Sequence, residues 1–478
     1  MKSRVGFLLV SLASLLFPLS SLAQFAPVGS LDCNGLSKIQ KPLRKFDVCA
    51  DFRTKEGRGE DNGVYIGHDE PSVDYLSSAP HSGNNMQWEV RLPRERPLPA
   101  TQSFENYIAF WFGMALCDPN SGFLPRGPCI PNSDANDPAT AGSAFLELQF
   151  YPPGFPPFIS QISCDLIHWC AALHINSVET MDNGQLNPNC TETTNFAFIQ
   201  RDGIPTGPAG PTNATDASFT PNNQTLFMNQ GDRLRVTLKD TVDGLLTRID
   251  DLSTGQSGFM VASARNGYQT LNPNTCVGTT FNFHPEYATA KYGNFVSWAA
   301  LQANVTFDVE IGHFTPGVNG DNDADDGPCF PGPTLPGCIN FAQGGDIDFD
   351  GTSYLFDWPD GTRNNATSLA VRGPLSVNDD GEYERPYNHV QFETEVGASE
   401  STCMPGGSGC VVPPLGAVFY PYYSVSHRGE ECSLMFGNLS GAGFDNFGGD
   451  AQYGTPNLPW FFATISSGPV HNPCIPHD

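Results

Sequence analysis

Carboxylates that alternate with apolar residues are the most chemically suggestive feature of this sequence. In "NVTFDVEIGHF", Asp308 and Glu310 point to one side of a predicted strand, and the apolar residues point to the other. In "AFLELQFY", Glu147, Gln149 and Tyr151 share one side in the same way. Two carboxylates facing one groove are the catalytic groups of glycoside cleavage, while amides and aromatic rings bind sugars by hydrogen bonding and stacking.

A third stretch supplies the aromatic part of this predicted groove. In "YIAFWFGM", Tyr107 and Trp111 lie on the same side. If the three strands are neighbours, we expect Glu147 and Glu310 to be the two catalytic carboxylates and Asp308 to tune one of them. The residues expected to bind substrate are then Tyr107, Trp111, Gln149 and Tyr151. The alternative is an ordinary solvated sheet face with scattered aromatic residues.

The stretch "GGDIDFDGTSYLFDWPDG" at 344–361 spaces three aspartates two residues apart and follows them with a glycine. Asp346, Asp348 and Asp350 match the first ligand positions of a calcium-binding loop. The acidic run "DNDADDG" at 321–327 offers further oxygen ligands nearby. The first interpretation of the stretch is a hairpin that turns at Asp350–Gly351 with solvated carboxylates, and the second is a structural calcium ion bound on that turn. No other cofactor is required by any motif.

The same "DIDFD" resembles the ExDxE strand of the laminarinase and lichenase family, within the concanavalin A-like lectin/glucanase superfamily. The resemblance implies Asp346 as nucleophile, Asp348 as helper and Asp350 as acid/base, although this chain has aspartates where the family has outer glutamates. The phrases "FWFGMALCDPNSG", "FLELQFYPPGF" and "VEIGHF" resemble a family of secreted microbial proteins of unknown activity. Together these resemblances imply an extracellular, concanavalin A-like sandwich.

The segment "CDLIHWCAALHI" spaces Cys164, His168, Cys170 and His174 so that they share one strand face. This arrangement invites a zinc interpretation, but the spacing is not that of known structural zinc sites. In an exported chain, cysteines are more often disulfide-bonded. We therefore expect disulfides and structural histidines here.

Several features predict export from the cell. Residues 1–23 have the layout of a signal peptide, with Lys2 and Arg4 before an apolar run and "SLA" before Gln24. The chain has 14 cysteines, enough for up to seven disulfides. Six glycosylation sequons begin at Asn189, Asn213, Asn223, Asn304, Asn365 and Asn438. We expect a secreted, extracellular glycoprotein.

Charge and hydropathy limit the partners. The formal net charge is −27, from 24 basic and 51 acidic residues, which disfavours nucleic acid and anionic membranes. After the signal peptide, the longest apolar run is "YIAFWFGMALC", well short of the ~20 residues that span a bilayer. An extracellular polysaccharide or other glycan is the partner we expect.

The elements that must position these residues are short strands. Gly and Pro, at 49 and 41 of 478 residues, separate runs rich in Phe, Val, Leu and Thr, and no long helical periodicity is present. This predicts an all-β, antiparallel β-sandwich of the jelly-roll or concanavalin A-like type, or two such sandwiches.

We expect a large domain at 24–315, a linker or loop at 316–340, and a second β-rich domain or extension at 341–478. "VDG" at 242–244 predicts a hairpin turn.

The function predicted from these features is polysaccharide cleavage by paired carboxylates. A non-catalytic, lectin-like or cell-wall protein that binds glycans is the first alternative. A secreted acid peptidase that uses a carboxylate together with Gln149 is the second.

Overall fold

The structure is a computed structural model. It describes the following residues: 47–50, 60–61, 64–65, 72–94, 109–120, 130–132, 143–151, 165, 167–177, 194–289, 305–310, 326–327, 345–346, 354–355, 369–396, 418–419, 423–428, 431–436, 446–447, 451–452, 463–467 and 470–476. The predicted signal peptide and most of the predicted linker at 316–340 lie outside these ranges.

Strands are numbered β1 to β29 along the chain. Eleven of them form one antiparallel sheet, called here the large sheet. Its spatial order is β1 (Asp47–Ala50), β28 (Ala463–Ser467), β22 (His389–Val396), β4 (Ser72–Leu76), β16 (Val305–Glu310), β6 (Ala109–Cys117), β7 (Ser143–Tyr151), β8 (Cys170–Asn176) and β9 (Thr194–Phe198), with β15 (His284–Pro285) on β6 and β29 (Val470–His471) on β22.

Nine strands form a second antiparallel sheet, called here the small sheet. Its spatial order is β12 (Ser257–Ala262), β11 (Gly244–Asp251), β10 (Arg233–Thr241), β5 (Asn85–Arg91), β20 (Leu369–Val377), β25 (Glu431–Phe436), β24 (Tyr423–Arg428) and β26 (Asn446–Phe447), with β21 (Tyr383–Pro386) on β20.

The other described strands form short ribbons: β2 (Glu60–Asp61) with β3 (Val64–Tyr65), β13 (Gln269–Asn272) with β14 (Val277–Thr280), β17 (Asp326–Gly327) with β18 (Gly345–Asp346), and β19 (Tyr354–Leu355) with β23 (Val418–Phe419) and β27 (Ala451–Gln452). The described residues contain no α-helix, only a 3-10 turn at Ala264–Asn266. Among them, no helix has the length and apolar character needed to cross a membrane. The prediction of an all-β antiparallel fold is confirmed, and a jelly-roll or concanavalin A-like topology stays a prediction.

The two sheets share one hydrophobic core, because each strand turns alternate residues inward. Phe110 and Phe112 of β6 face Trp88 of β5, and the Trp88 and Phe112 rings meet edge to face at 4.9 Å between centroids. On β7 the inward residues include Leu146 and Leu148. The alternation predicted for "AFLELQFY" is therefore confirmed.

Strands from the C-terminal part of the chain complete both sheets. In the large sheet, β22 pairs with β4, so that Val390 lies opposite Tyr75. In the small sheet, β20 pairs with β5, so that Val371 lies opposite Val90. The described strands after residue 368 therefore share the core with the strands near the start of the described chain.

A disulfide between Cys432 and Cys474 links the two sheets. Cys432 lies on β25 of the small sheet, and Cys474 follows β29 of the large sheet. Cys117, Cys170 and Cys276 are also disulfide-bonded. Among the residues that the structure describes there is no free cysteine, as expected for disulfides rather than a zinc site. Cys164 lies outside the described residues.

Candidate functional site

The candidate site is the face of the large sheet that points away from the core, called here the acidic face. Its positions alternate along each strand with the positions of the core residues, and antiparallel registers align these positions across seven strands in two rows. The first row is Gln391, Asp74, Thr306, Gly113, Glu147, His174 and Phe196. The second row is Glu393, Ser72, Asp308, Trp111, Gln149, Ala172 and Phe198.

Charge on this sheet has a single sign. None of its eleven described strands contains Lys or Arg, whereas carboxylates occur on five of them. The carboxylate positions are Asp47, Asp74, Glu147, Asp308, Glu310, Glu393 and Glu395.

The three strands of the predicted groove are neighbours, in the order β16, β6 and β7. Asp308 lies opposite Trp111, and Trp111 lies opposite Gln149. Glu310 lies opposite Ala109. Tyr107, the remaining predicted groove residue, lies outside the described residues.

The register separates the two carboxylates that the sequence suggested as a catalytic pair. Glu147 and Glu310 lie two strands and four residues apart, which puts their Cα atoms about 16 Å from each other. A glycosidase pair requires carboxyl groups ~5 to ~9.5 Å apart. Asp308 and Glu310 lie two residues apart on one strand, which puts their Cα atoms about 7 Å from each other.

Asp74 is a carboxylate position that the sequence reasoning missed. It lies opposite Thr306 on β4 and is therefore diagonal to Asp308, at about 7 to 8 Å. Its signal in the sequence is the alternation in "SVDYL", where Asp74 occupies the position next to Tyr75, a core residue. Asp308 therefore has two neighbouring carboxylate positions, Glu310 along its own strand and Asp74 diagonally across on β4.

Next to these positions, four polar side chains form a hydrogen-bonded chain. The Gln149 amide donates to Glu147 Oε2 at 2.7 Å, and its carbonyl oxygen accepts from the Tyr151 hydroxyl at 2.7 Å. The Tyr151 oxygen lies 2.9 Å from His174 Nε2. Because the single Tyr151 proton is directed to Gln149, Nε2 of His174 must carry the proton of that contact.

Burial distinguishes the members of this chain. Gln149 and Tyr151 have no exposed surface, His174 is 4% exposed and Trp111 is 4% exposed, whereas Glu147 is half-buried. Burial lowers the pKa of His174 to about 3, so the imidazole is neutral at any pH well above that value. Trp111, Gln149 and Tyr151 thus pack and bond within the protein, and this part of the face is not the open platform expected from the sequence.

Two further histidine–aspartate pairs lie outside the acidic face. His168 Nδ1 is 2.7 Å from Asp165 Oδ2, and His284 Nδ1 is 2.8 Å from Asp240 Oδ1. Partial burial raises the pKa of Asp165, but its hydrogen bonds to His168 and to backbone amides outweigh this and lower the pKa overall. Asp240 also accepts a hydrogen bond from Asn132. These contacts are those of structural histidines.

The predicted calcium ligands are described only in part. Asp346 lies on β18 opposite Asp326 on β17, so the backbone brings the two acidic stretches together. Asp348 and Asp350 lie outside the described residues. Within the residues that the structure describes, no group of three or more His, Cys, Asp or Glu side chains is arranged to hold a metal ion. Calcium stays a prediction.

Comparisons with known proteins show no family for this chain. No protein-family model and no curated protein sequence matches it. Among solved structures, the chain is similar to the enzymatically active domain of tailspike protein 2 from bacteriophage CBA120, with 12% sequence identity and a TM-score of 0.20. The match covers 65% of this chain and 25% of the tailspike chain. A likeness of this strength does not extend to fold or function.

Proposed function

We propose that this protein is a secreted, glycan-directed protein that cleaves a polysaccharide on its acidic face. The observation that carries the proposal is the register of β16, with Asp308 beside Trp111 of β6 and Glu310 two residues further along. Their Cα atoms lie about 7 Å apart, a spacing from which two carboxyl groups can reach the ~6.5 to ~9.5 Å of inverting enzymes, in which a water molecule enters between a general acid and a general base. Structural calcium at Asp346, Asp348 and Asp350 remains part of the proposal.

Asp74 has a supporting role in this mechanism. Asp74 is a second carboxylate position, diagonal to Asp308 and about 7 to 8 Å from it, so we assign it the role of orienting water or substrate beside Asp308. Asp308 or Glu310 can protonate the leaving oxygen while the other activates water. Glu147 is too far from Glu310 to be its partner, and it remains a candidate for binding substrate hydroxyls.

The test is a panel of neutral and acidic polysaccharides assayed for reducing ends, with and without a chelator. Asp308→Asn and Glu310→Gln should each lower the rate by at least ~100-fold, because each removes a general acid or base. Glu147→Gln should weaken substrate affinity more than turnover, and Glu382→Gln, at an exposed turn outside the acidic face, is the control that should retain the activity. NMR of the first product should show an inverted anomeric centre.

Other results would contradict this assignment. Glycan binding without release of reducing ends, unchanged in Asp308→Asn and Glu310→Gln, would identify the lectin-like alternative. A loss of activity in Glu147→Gln as large as that in Asp308→Asn would show that the catalytic site includes Glu147.

An acid peptidase is the second candidate, and the 2.7 Å contact between Glu147 and Gln149 favours it. A carboxylate can activate water while a glutamine amide stabilises an oxyanion. Digestion of denatured protein substrate in mildly acidic buffer, abolished by Glu147→Gln and unaffected by Asp308→Asn, would establish this function instead.

A further inference from the structure

The outer face of the small sheet, called here the basic face, has the opposite electrostatic character. Its inner residues, such as Trp88, Leu234 and Val236, enter the core, so the alternate residues point outward. These outward residues include six of the chain's 24 basic residues: Arg91, Arg233, Arg235, Lys239, Arg248 and Arg372.

The antiparallel registers hold these cations in adjoining rows. Arg233 lies opposite Arg91, and Arg235 lies opposite Glu89, which in turn lies opposite Arg372. Arg248 lies opposite Thr237, and Thr237 lies opposite Gln87. The basic positions thus extend over four neighbouring strands, β11, β10, β5 and β20.

This concentration of positive charge contrasts with the rest of the molecule. The chain carries a net charge of −27, and the described strands of the large sheet contain no Lys or Arg. The carboxylates interspersed on the basic face are Glu89, Asp250 and Glu431, and an acidic turn with Asp379 and Asp380 lies beyond the end of β20. A local excess of cations on an acidic protein attracts an anionic partner to that face alone.

The side chains of the basic face already bind carboxylates. The Glu89 carboxylate lies between two guanidinium groups, 3.0 Å from Arg233 and 3.1 Å from Arg235. Arg248 contacts Asp250 at 2.6 Å. Because the arginine side chains are 41% to 54% exposed, these ion pairs are weak and can be exchanged for carboxylates of a ligand.

Polar groups between the cations suit a partner rich in hydroxyl groups. Gln87 and Thr237 form a 2.9 Å hydrogen bond in the middle of the basic face, and both side chains are partly exposed. In the paired rows of β12, β11, β10, β5 and β20, the one outward aromatic residue is Phe259. Single-stranded nucleic acid binds on successive stacked aromatic rings, which these rows lack.

We propose that the basic face binds an acidic polysaccharide, a chain of uronate residues, through its carboxylates. The choice of a glycan rests on the proposed function, but the surface is separate from the acidic face. The polymer's carboxylates would replace Glu89 and Asp250 as partners of the arginines, and its hydroxyl groups would bond to Thr237 and Gln87.

The test measures binding of polygalacturonate to the full chain at several salt concentrations, with uncharged dextran for comparison. We expect binding of polygalacturonate only, with an affinity that falls as salt rises. Arg233→Gln with Lys239→Gln should weaken binding by about tenfold and make the salt dependence shallower. Arg201→Gln with Arg265→Gln is the matched control, because it removes the same charge from positions outside the basic face.

The proposal is overturned if the two double variants bind equally, if dextran binds as well as polygalacturonate, or if a single-stranded oligonucleotide of equal charge binds as tightly. Each measurement is repeated in the Asp308→Asn background, which blocks the proposed hydrolysis. Binding that persists there supports the proposed uronate site on the basic face, whether or not the protein is a hydrolase. Hydrolysis without such binding would overturn the proposal for the basic face and leave the proposed function of the acidic face standing.

Discussion

His174 and Glu286 are fully buried ionisable groups, and burial drives their pKa values in opposite directions. Burial lowers the pKa of His174 to about 3 and raises the pKa of Glu286 well above its ordinary value. Both residues are therefore neutral where an exposed histidine or glutamate would be charged. Each makes stability depend on pH, with opposite sign.

We predict that His174 contributes stability above pH 6.5 that is lost as pH falls from 6.5 towards 3. The unfolded histidine binds a proton in this range and the buried one does not, so each pH unit costs up to about 1.4 kcal/mol. His174→Gln should remove this dependence, which urea unfolding at pH 6.5 and at about two pH units lower would measure. His81→Gln, at an exposed position, is the control, and an equal fall in stability in both variants would contradict the prediction.

The pH dependence at Glu286 runs the other way. Neither carboxyl oxygen accepts a hydrogen bond of normal geometry within the described residues, and the nearby Tyr287 hydroxyl only partly offsets the effect of burial on the pKa. The protonated form is stable below pH 4.5, and its contribution is lost as pH rises through the raised pKa.

We predict that Glu286→Gln raises stability at neutral pH and has little effect in acid below the ordinary glutamate pKa, because the amide cannot ionise. Urea unfolding under the two conditions measures the difference, and Glu382→Gln at an exposed turn serves as control. A gain of the same size under both conditions would show that ionisation is not the cause.

At the scale of elements, the β10–β11 hairpin confirms the turn predicted from "VDG". Thr241 lies opposite Gly244, which leaves a two-residue turn. Gly244 has a φ of +121°, and a Cβ atom there would lie 2.4 Å from the Ala262 carbonyl oxygen. Only glycine fits this position, since both the backbone conformation and the neighbouring backbone oxygen exclude a side chain.

We predict that Gly244→Ala destabilises the protein by about 3 kcal/mol or more, because strain and a backbone clash add together. Gly255 provides the matched control. It has a φ of +76°, and no atom lies within 4 Å of the position that a Cβ atom would take, so Gly255→Ala should cost only about 1 to 2 kcal/mol. Thermal unfolding of both variants tests the prediction, and equal losses would contradict it.

The core-facing residues of a strand could be predicted from the local sequence pattern, but the strands that pair with it could not. The alternation around Leu146 and Leu148 specifies which side of β7 enters the core, because side-chain direction follows a period of two. Nothing local to Asp74 indicates that β4 pairs with β16, which lies far along the chain. The same limit applies to Glu147 and Glu310, whose separation depends on strand register, and to Trp111, whose burial depends on what packs over the sheet.

At the scale of the whole molecule, the two sheets separate charge. Cations collect on the outer side of the small sheet, whereas the described strands of the large sheet have carboxylate positions and no Lys or Arg, and the two sheets share one apolar core. Opposite charges held on opposite faces give the molecule two surfaces with different electrostatic preferences. The proposed hydrolysis and the proposed binding of uronate chains therefore use different sheets.

The shared core also predicts that residues 24–315 do not fold without the C-terminal strands. Leu369, Val371, Val390 and Leu434 come from the C-terminal strands and are fully buried, and their burial contributes about 6 to 12 kcal/mol together. That amount is comparable with the net stability of a whole domain. A fragment of residues 24–315 should therefore lack cooperative unfolding and a near-ultraviolet circular dichroism signal, whereas residues 24–478 should have both.

Co-expression with residues 341–478 distinguishes this outcome from simple misfolding of the fragment. Because β20 pairs with β5 and β22 pairs with β4, the second fragment supplies the missing neighbours of both sheets. The two fragments should co-purify and regain the near-ultraviolet signal. A fragment 24–315 that unfolds cooperatively by itself would instead show that residues 341–478 form a separate domain, because its core would then be complete without them.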